Sequence, residues 1–295
     1  MAPRVSGDAS AGRPAPPKRP APLVTILGLA QVVRPLNLVA IALAAWVGAR
    51  LGAGAPDIAT LFVPVLIGAF GYARNDSIDL ASDRFNRPDR PVPSGALSPR
   101  AAAIVSWTAL GIAALLLAAA PRDATTWGIA LAAAGALFAY SPWLKDRGAA
   151  GPLAIALLTS LAVLWGAAGA PRAERALLPA FLAGAAQFAR ECVKQLEDAP
   201  GDRAAGRTTW AIERGSIVVN QAARLGLLAA LLLLPLPATS GGLGKPYLAL
   251  AIPTAGLLML WALIALGGKA PRNGRISATI KLSLFCGLAA LWWSA

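Results

Sequence analysis

Nine apolar stretches recur along the chain, at about residues 35–53, 57–75, 100–120, 124–142, 151–169, 176–196, 216–236, 247–267 and 277–294. Each is close to the ~20 residues with which an α-helix crosses a bilayer. A chain with so many such stretches has few folds open to it. Backbone polar groups in lipid must be bonded within a helix or around a closed barrel. A barrel requires apolar–polar alternation, and these Ala- and Leu-rich stretches have none. The expected fold class is therefore all-α and integral to the membrane, with nine transmembrane helices bundled around a central cavity. The sixth stretch is the least apolar, because it ends in Arg190, Glu191 and Lys194.

The charges fall between the stretches, and their bias sets the expected orientation. With the N-terminus inside, the cytosolic segments and their flanks hold 20 of the 27 basic residues. Arg50, Arg122, Arg172, Arg175 and Lys245 lie on the far side, while Arg224 and Lys281 fall within stretches. The positive-inside rule then gives an N-in, multi-pass protein of the cell's inner (plasma) membrane, with its acidic loops at the cytosolic face. The net charge of +13 belongs to this topology and to anionic ligands rather than to a nucleic-acid partner. Residues 1–22, rich in Ala, Pro and basic residues, have no signal-peptide pattern and are expected to be a disordered cytosolic tail. Residues 23–295 are expected to form a single transmembrane domain. There is no histidine, which removes imidazole bases and the usual zinc sites. Cys192 and Cys286 match no metal or redox spacing.

Eleven of the 14 acidic residues share the cytosolic side. Asn75, Asp79 and Asp83 end the second stretch at four-residue spacing, which stacks them on one helical face. Asp198 and Asp202 repeat that spacing after the sixth stretch. Pro200 and Gly201 lie between them, so a bent turn is expected there. Like charges gathered at a membrane surface call for a cation, and oxygen ligands suit Mg²⁺ shared with a phosphate. The loop 84–95 adds forked arginine donors, Arg87 among them, on a proline-stiffened chain. Arg34 and Lys145 are further candidate phosphate contacts.

These motifs together resemble the UbiA superfamily of intramembrane prenyltransferases. The resemblance covers about residues 30–295 and rests on Arg34-Pro-Leu-Asn37, Asn75/Asp79/Asp83, Asn86-Arg-Pro-Asp-Arg-Pro-Val-Pro-Ser-Gly95, Tyr140 with Lys145, and Asp198-x-x-x-Asp202. It implies nine helices around a cavity, Mg²⁺ as cofactor and a polyprenyl diphosphate donor. Within the family, residues 190–209 most resemble the digeranylgeranylglyceryl phosphate synthase branch. That branch usually has Lys-Asp where this chain has Lys194-Gln195.

The implied reaction is Mg²⁺-dependent transfer of a polyprenyl group, with release of diphosphate, to a lipophilic or phosphate-bearing acceptor. An aromatic quinone-type precursor and a glycerophosphate hydroxyl both remain open as acceptors. Asn75, Asp79, Asp83, Asp198 and Asp202 are the expected catalytic and metal-binding residues. Arg34, Asn37, Arg87, Tyr140, Lys145, Glu191 and Lys194 are the expected substrate contacts. A divalent-cation transporter and a non-catalytic family member are the alternatives. The acids cluster at helix ends beside an arginine-rich loop, which favours a phosphate ligand over a midplane ion path.

Overall fold

The computed structural model describes residues 22–239, 242–268 and 271–295. Thirteen α-helices follow in chain order: α1 (Pro22–Val32), α2 (Pro35–Leu51), α3 (Ile58–Ile78), α4 (Leu80–Asn86), α5 (Pro99–Ala119), α6 (Ala124–Ala139) and α7 (Ala150–Ala167). After them come α8 (Leu177–Ala204), α9 (Trp210–Leu233), α10 (Leu236–Thr239), α11 (Gly244–Ala251), α12 (Leu257–Ala265) and α13 (Asn273–Ser294). One π-helical turn, Tyr140–Leu144, extends α6, and another, Ile252–Gly256, joins α11 to α12. Among the described residues there is no strand beyond one isolated bridge, Gly148 with Thr209. The expected tail at residues 1–22 lies outside the described residues except for Pro22.

Helix starts follow local chemistry. Asp57 and Asp123 accept from the N–H groups of Thr60 and Thr126, and Ser98 accepts from Ala101, so each satisfies a donor that the first turn leaves free. Arg34 takes a left-handed conformation (φ 55°) between α1 and α2, and Pro35 opens the new helix. Helix α1 was not foreseen as a separate element: residues 22–32 are too short to span by themselves, and they precede the first expected stretch. The expected turn at Pro200–Gly201 is also corrected. Helix α8 runs through both residues to Ala204. A proline removes one i→i−4 bond, here the one to the Leu196 carbonyl, and the same stretch is tied to a neighbouring helix, where Asn86 Nδ2 donates to the carbonyl of Asp198 at 2.8 Å. Gly201 makes the approach feasible, since a Cβ there would lie 2.2 Å from Asn86 Oδ1.

Eight helices among the described residues are long and apolar enough to cross a membrane. The expected count of nine differs because the sixth stretch falls in α8, whose 28 residues are long enough but carry charges inward. Apolar side chains stay exposed around the outside, for example Leu115 at 72%, Ile217 at 74% and Ile264 at 68%. This is the pattern of a bundle whose solvent is lipid.

Packing places α8 at the centre, against α7, α9, α13 and α4, while α3 packs on α5 and α2 on α7. The main core runs across α2, α7, α8, α9 and the C-terminal helices, and a second cluster joins α2, α3, α5, α6 and α7. Trp165 belongs to the second cluster and donates from Nε1 to the Thr60 carbonyl at 2.9 Å.

Helices α2 and α7 touch backbone to backbone. A Cβ on Gly48 would stand 1.9 Å from the Val163 carbonyl oxygen, and one on Gly166 1.8 Å from that of Ala45. Small residues permit such an approach, and a methyl there meets backbone, which cannot swing aside. Gly48→Ala is expected to lower the thermal unfolding temperature in detergent, by a free energy of about 1–3 kcal/mol for an overpacked contact. Unchanged unfolding would refute this account of the α2–α7 contact.

Candidate active site

Helices α3 and α8 end at the same end of the bundle, and their acidic motifs meet there. Asn86, at the end of α4, donates to the Asp198 backbone, and Arg87 reaches Glu197 at 2.8 Å and Asp198 at 2.9 Å. A cavity of about 860 Å³ opens beside them, large enough for a small-molecule site. Its polar end includes Asn75, Asp76, Asp83, Asp198 and Asp202, and farther in its wall turns apolar with Ile41, Ala44, Ile67, Leu137, Leu158 and Leu288.

Five of the expected residues are thus placed by two helix ends, with one exception in the first motif. Asn75 and Asp83 line the cavity; Asp79 does not. Helix α3 stops at Ile78 and α4 starts at Leu80, so Asp79 sits in the joint between them (φ −83°, ψ 14°). Its carboxylate is 0% exposed and is held from both sides, by Lys145 Nζ at 2.5 Å and Arg207 Nη1 at 2.5 Å. The expected column of three is therefore broken at its middle member, where α3 ends and α4 begins. Asp76 takes the place beside Asp83, with Arg90 reaching both across the break.

Asp76 is buried and pairs with Arg34 Nη2 at 2.5 Å, while Arg90 lies 2.7 Å from Asp83 and 3.6 Å from Asp76. Burial raises the Asp83 carboxyl above its ordinary range, while Arg90 pulls it back down. Asp202 is buried against the cavity wall, and its carboxylate makes no ion pair or hydrogen bond among the described residues. Gln195 Oε1 is buried with no donor.

The expected substrate contacts are all at this cavity. Arg34 stacks over Tyr72 at 4.9 Å. Asn37 accepts from Lys281 Nζ at 2.7 Å. Tyr140 and Lys145 bracket a π-helical turn closed by Lys145 N–H to the Tyr140 carbonyl at 2.9 Å, and both line the cavity. A single π turn redirects the residues that follow it, which brings Lys145 back onto Asp79. Glu191 is held by Gln187 Nε2 at 3.0 Å, Arg190 at 3.1 Å and Lys194 at 3.6 Å.

Residues that sequence reasoning passed over include Asp76, Arg207 and Lys281, whereas Arg90 belongs to the loop already marked for its arginine donors. The seven-residue step from Asp76 to Asp83 was the available signal for Asp76. Arg207 also bonds Asp146 from Nε at 3.0 Å and is kept firmly protonated; burial works against its charge, but Asp79 and Asp146 prevail.

No three carboxylates converge as a ready-made metal centre among the described residues. The donor chemistry nonetheless fits Mg²⁺: the set is all oxygen, without thiolate or imidazole, and Mg²⁺ keeps waters and needs only one or two carboxylates when phosphates complete its shell. Asp202, whose carboxylate forms no ion pair or hydrogen bond among the described residues, is well placed to supply one.

Comparison with known proteins shows the family. The model of the UbiA prenyltransferase family matches residues 21–286. A digeranylgeranylglyceryl phosphate synthase of Methanopyrus kandleri is 33% identical over 88% of this chain and 96% of its own length. That of Natronomonas pharaonis is 35% identical over 90% and 95%. Among solved structures, one described as giving insights into digeranylgeranylglyceryl phosphate synthase superposes with a TM-score of 0.70 at 23% identity, over 92% of this chain and 98% of its own. A UbiA homolog from Archaeoglobus fulgidus bound to GPP and Mg²⁺ gives 0.56 at 15% identity, over 90% and 99%. With its acidic motifs brought together over a membrane-embedded cavity, the chain belongs to the UbiA prenyltransferase family and is an enzyme of that family.

Proposed function

We propose that the enzyme transfers a polyprenyl group from its diphosphate to a hydroxyl of a glycerophosphate acceptor, with Mg²⁺ at the polar end of the cavity. The carrying observation is the meeting of the two acidic motifs, joined through Asn86 and Arg87, above an apolar pocket. The curated relatives' names favour the glycerophosphate acceptor over an aromatic one.

In this reading Asn75, Asp76, Asp83, Asp198 and Asp202 would hold Mg²⁺ at the end of the cavity where the diphosphate binds. The metal supplies charge neutralisation of the leaving group. Arg34, Arg87, Arg90 and Lys145 surround the same space and add donors to phosphate oxygens. The apolar wall takes the prenyl chain and excludes water from the reacting carbon. As the C1–O bond of the donor breaks, its electron pair leaves with diphosphate and C1 becomes an allylic cation. The acceptor oxygen forms the new C–O bond and its proton passes to the released diphosphate. Asp79 is a positioning residue here: it fixes Lys145 and Arg207 at the cavity rim.

The nine-helix count, with α8 as the polar ninth span, belongs to the same proposal. So does the orientation, with the N-terminus and the motif end at the cytosolic face of the plasma membrane. The basic residues Arg84, Arg87, Arg90, Lys145, Arg203 and Arg207 support it, all falling near that end.

The deciding experiment presents the purified protein, in lipid nanodiscs with Mg²⁺, with one labelled polyprenyl diphosphate and a panel of acceptors, read by mass spectrometry. Prenylated glycerophosphate is the expected product. Failure to prenylate any acceptor would defeat the reading, and Mg²⁺ uptake by proteoliposomes without prenyl diphosphate would turn it toward transport.

A further inference from the structure

The polar side chains of the cavity form two layers along α8. Asp198 and Asp202 mark the outer one, while Arg190, Glu191 and Lys194 lie one to three helical turns deeper. The outer layer has carboxylates to spare: Arg34 meets Asp76, Arg90 meets Asp83, Arg87 is shared by Glu197 and Asp198, and the Asp202 carboxylate forms no ion pair among the described residues. The inner layer has the opposite excess. Arg190 and Lys194 share the single carboxylate of Glu191.

Lys281 lies on α13, eight residues from its start, or about 12 Å along the helix axis at ~1.5 Å per residue. Its ammonium donates to the neutral Asn37 Oδ1 at 2.7 Å and forms no ion pair among the described residues. The charges that act on it are Arg190, Arg34 and Lys194, all cations. Arg190 Nε is buried without a hydrogen-bond partner. All these side chains line the one cavity.

A lysine held inside a membrane span is costly, and such residues pair with an opposite charge or mark a ligand path. Three cations against one carboxylate leave the inner layer with two positive charges over. A phosphomonoester carries about −1.5 to −2 at neutral pH. That charge, and its several acceptor oxygens, match the surplus and the donors left free. A metal-bound diphosphate belongs instead with the outer layer, where the carboxylates are.

We infer that Lys281, with Arg190 and Lys194, forms an anion subsite that holds the phosphomonoester head of the acceptor and so selects the acceptor class. This rests on the prenyl-transfer reading and goes beyond it by separating the acceptor's phosphate from the donor's. The head would sit a few bonds from the acceptor hydroxyl, and its charge is distinguished from that of a neutral alcohol or a phenol.

The test uses full-length enzyme in nanodiscs and the variants Lys281→Met and Lys281→Arg. Acceptors are an ether-linked glycerophosphate lipid, its dephosphorylated alcohol, water-soluble glycerol phosphate and an aromatic carboxylate. Lys281→Met is expected to raise the KM for the phosphorylated lipid at least ~10-fold, the loss of one charge-assisted hydrogen bond, and to leave the donor KM unchanged. Lys281→Arg is expected to recover most of that loss. Binding without donor is followed separately, as stabilisation against thermal unfolding by each acceptor.

Equal binding of the phosphorylated and dephosphorylated lipids by the wild type would overturn the subsite, as would a matching rise in donor KM. Turnover of glycerol phosphate as efficient as that of the lipid would support the phosphate subsite and assign the free compound as a source. Phosphate-dependent binding that Lys281→Met abolishes would uphold the subsite even if no acceptor were prenylated. That last result would defeat the proposed function alone.

Discussion

Asp83→Asn and Asp198→Asn enzymes are each expected to lose about 10²–10³-fold in kcat, the scale seen when one group aimed at developing transition-state charge is removed. The two residues come from opposite walls, at the end of α3–α4 and the end of α8, and line one cavity. Each already has a basic partner, Arg90 at 2.7 Å and Arg87 at 2.9 Å. On the proposed reading, neutralising the acid would remove a metal ligand and also free an arginine that was half-compensated. The Mg²⁺ concentration for half-maximal rate should rise in both variants, because an amide oxygen is a weaker ligand for a hard cation than a carboxylate. A purely structural role predicts something different, with less folded enzyme at unchanged Mg²⁺ dependence. Titrating Mg²⁺ against the rate per folded molecule separates the two. Full turnover at the wild-type Mg²⁺ requirement in either variant would remove that residue from the ligand set.

How far the sequence disclosed this site depends on which physical rule each residue obeys. Membrane helices announce themselves by length and apolarity, so the spans other than α8 were plain. The sixth stretch was correctly seen as odd, because its charged residues face a cavity rather than lipid. Both acidic motifs could be found from four-residue spacing, and their arrival at one end of the bundle followed from counting spans. Spacing fails where a helix stops. Asp79 keeps its backbone bonds to Asn75 and Asp83, at 2.9 Å each, yet at the break between α3 and α4 its carboxylate is taken by Lys145 and Arg207 instead of lining the cavity. No propensity marks that break. Lys281 was invisible for another reason. A lone lysine in an apolar stretch does not reveal its neighbours, and its meaning comes from Asn37, 244 residues away in sequence.

Asp79→Ala is expected to be the most damaging single substitution for stability, at about 3–5 kcal/mol, as for breaking a buried ion pair from one side. The carboxylate is wholly buried and accepts from Lys145 and Arg207 at 2.5 Å each. Those two cations come from different segments. Lys145 follows the π turn that ends α6, and Arg207 lies in the connection between α8 and α9. Asp79 therefore ties three chain segments together at the cavity rim, and without it the cations repel across the space it filled. Asp146 at 3.0 Å would still hold Arg207 in part, but it is about a third exposed and screened by water. The variant should unfold at a lower temperature in detergent, and backbone amides of 204–210 should exchange faster. Removing a freed charge relieves the repulsion, so Asp79→Ala with Arg207→Met should regain part of the lost stability, a non-additivity that only coupled residues give. Strict additivity, or unchanged exchange in 204–210 for the single variant, would show that this pair does not hold the rim. Prenyl transfer should stay low in the double variant even where stability recovers, because Lys145 then has no carboxylate to hold it at the cavity.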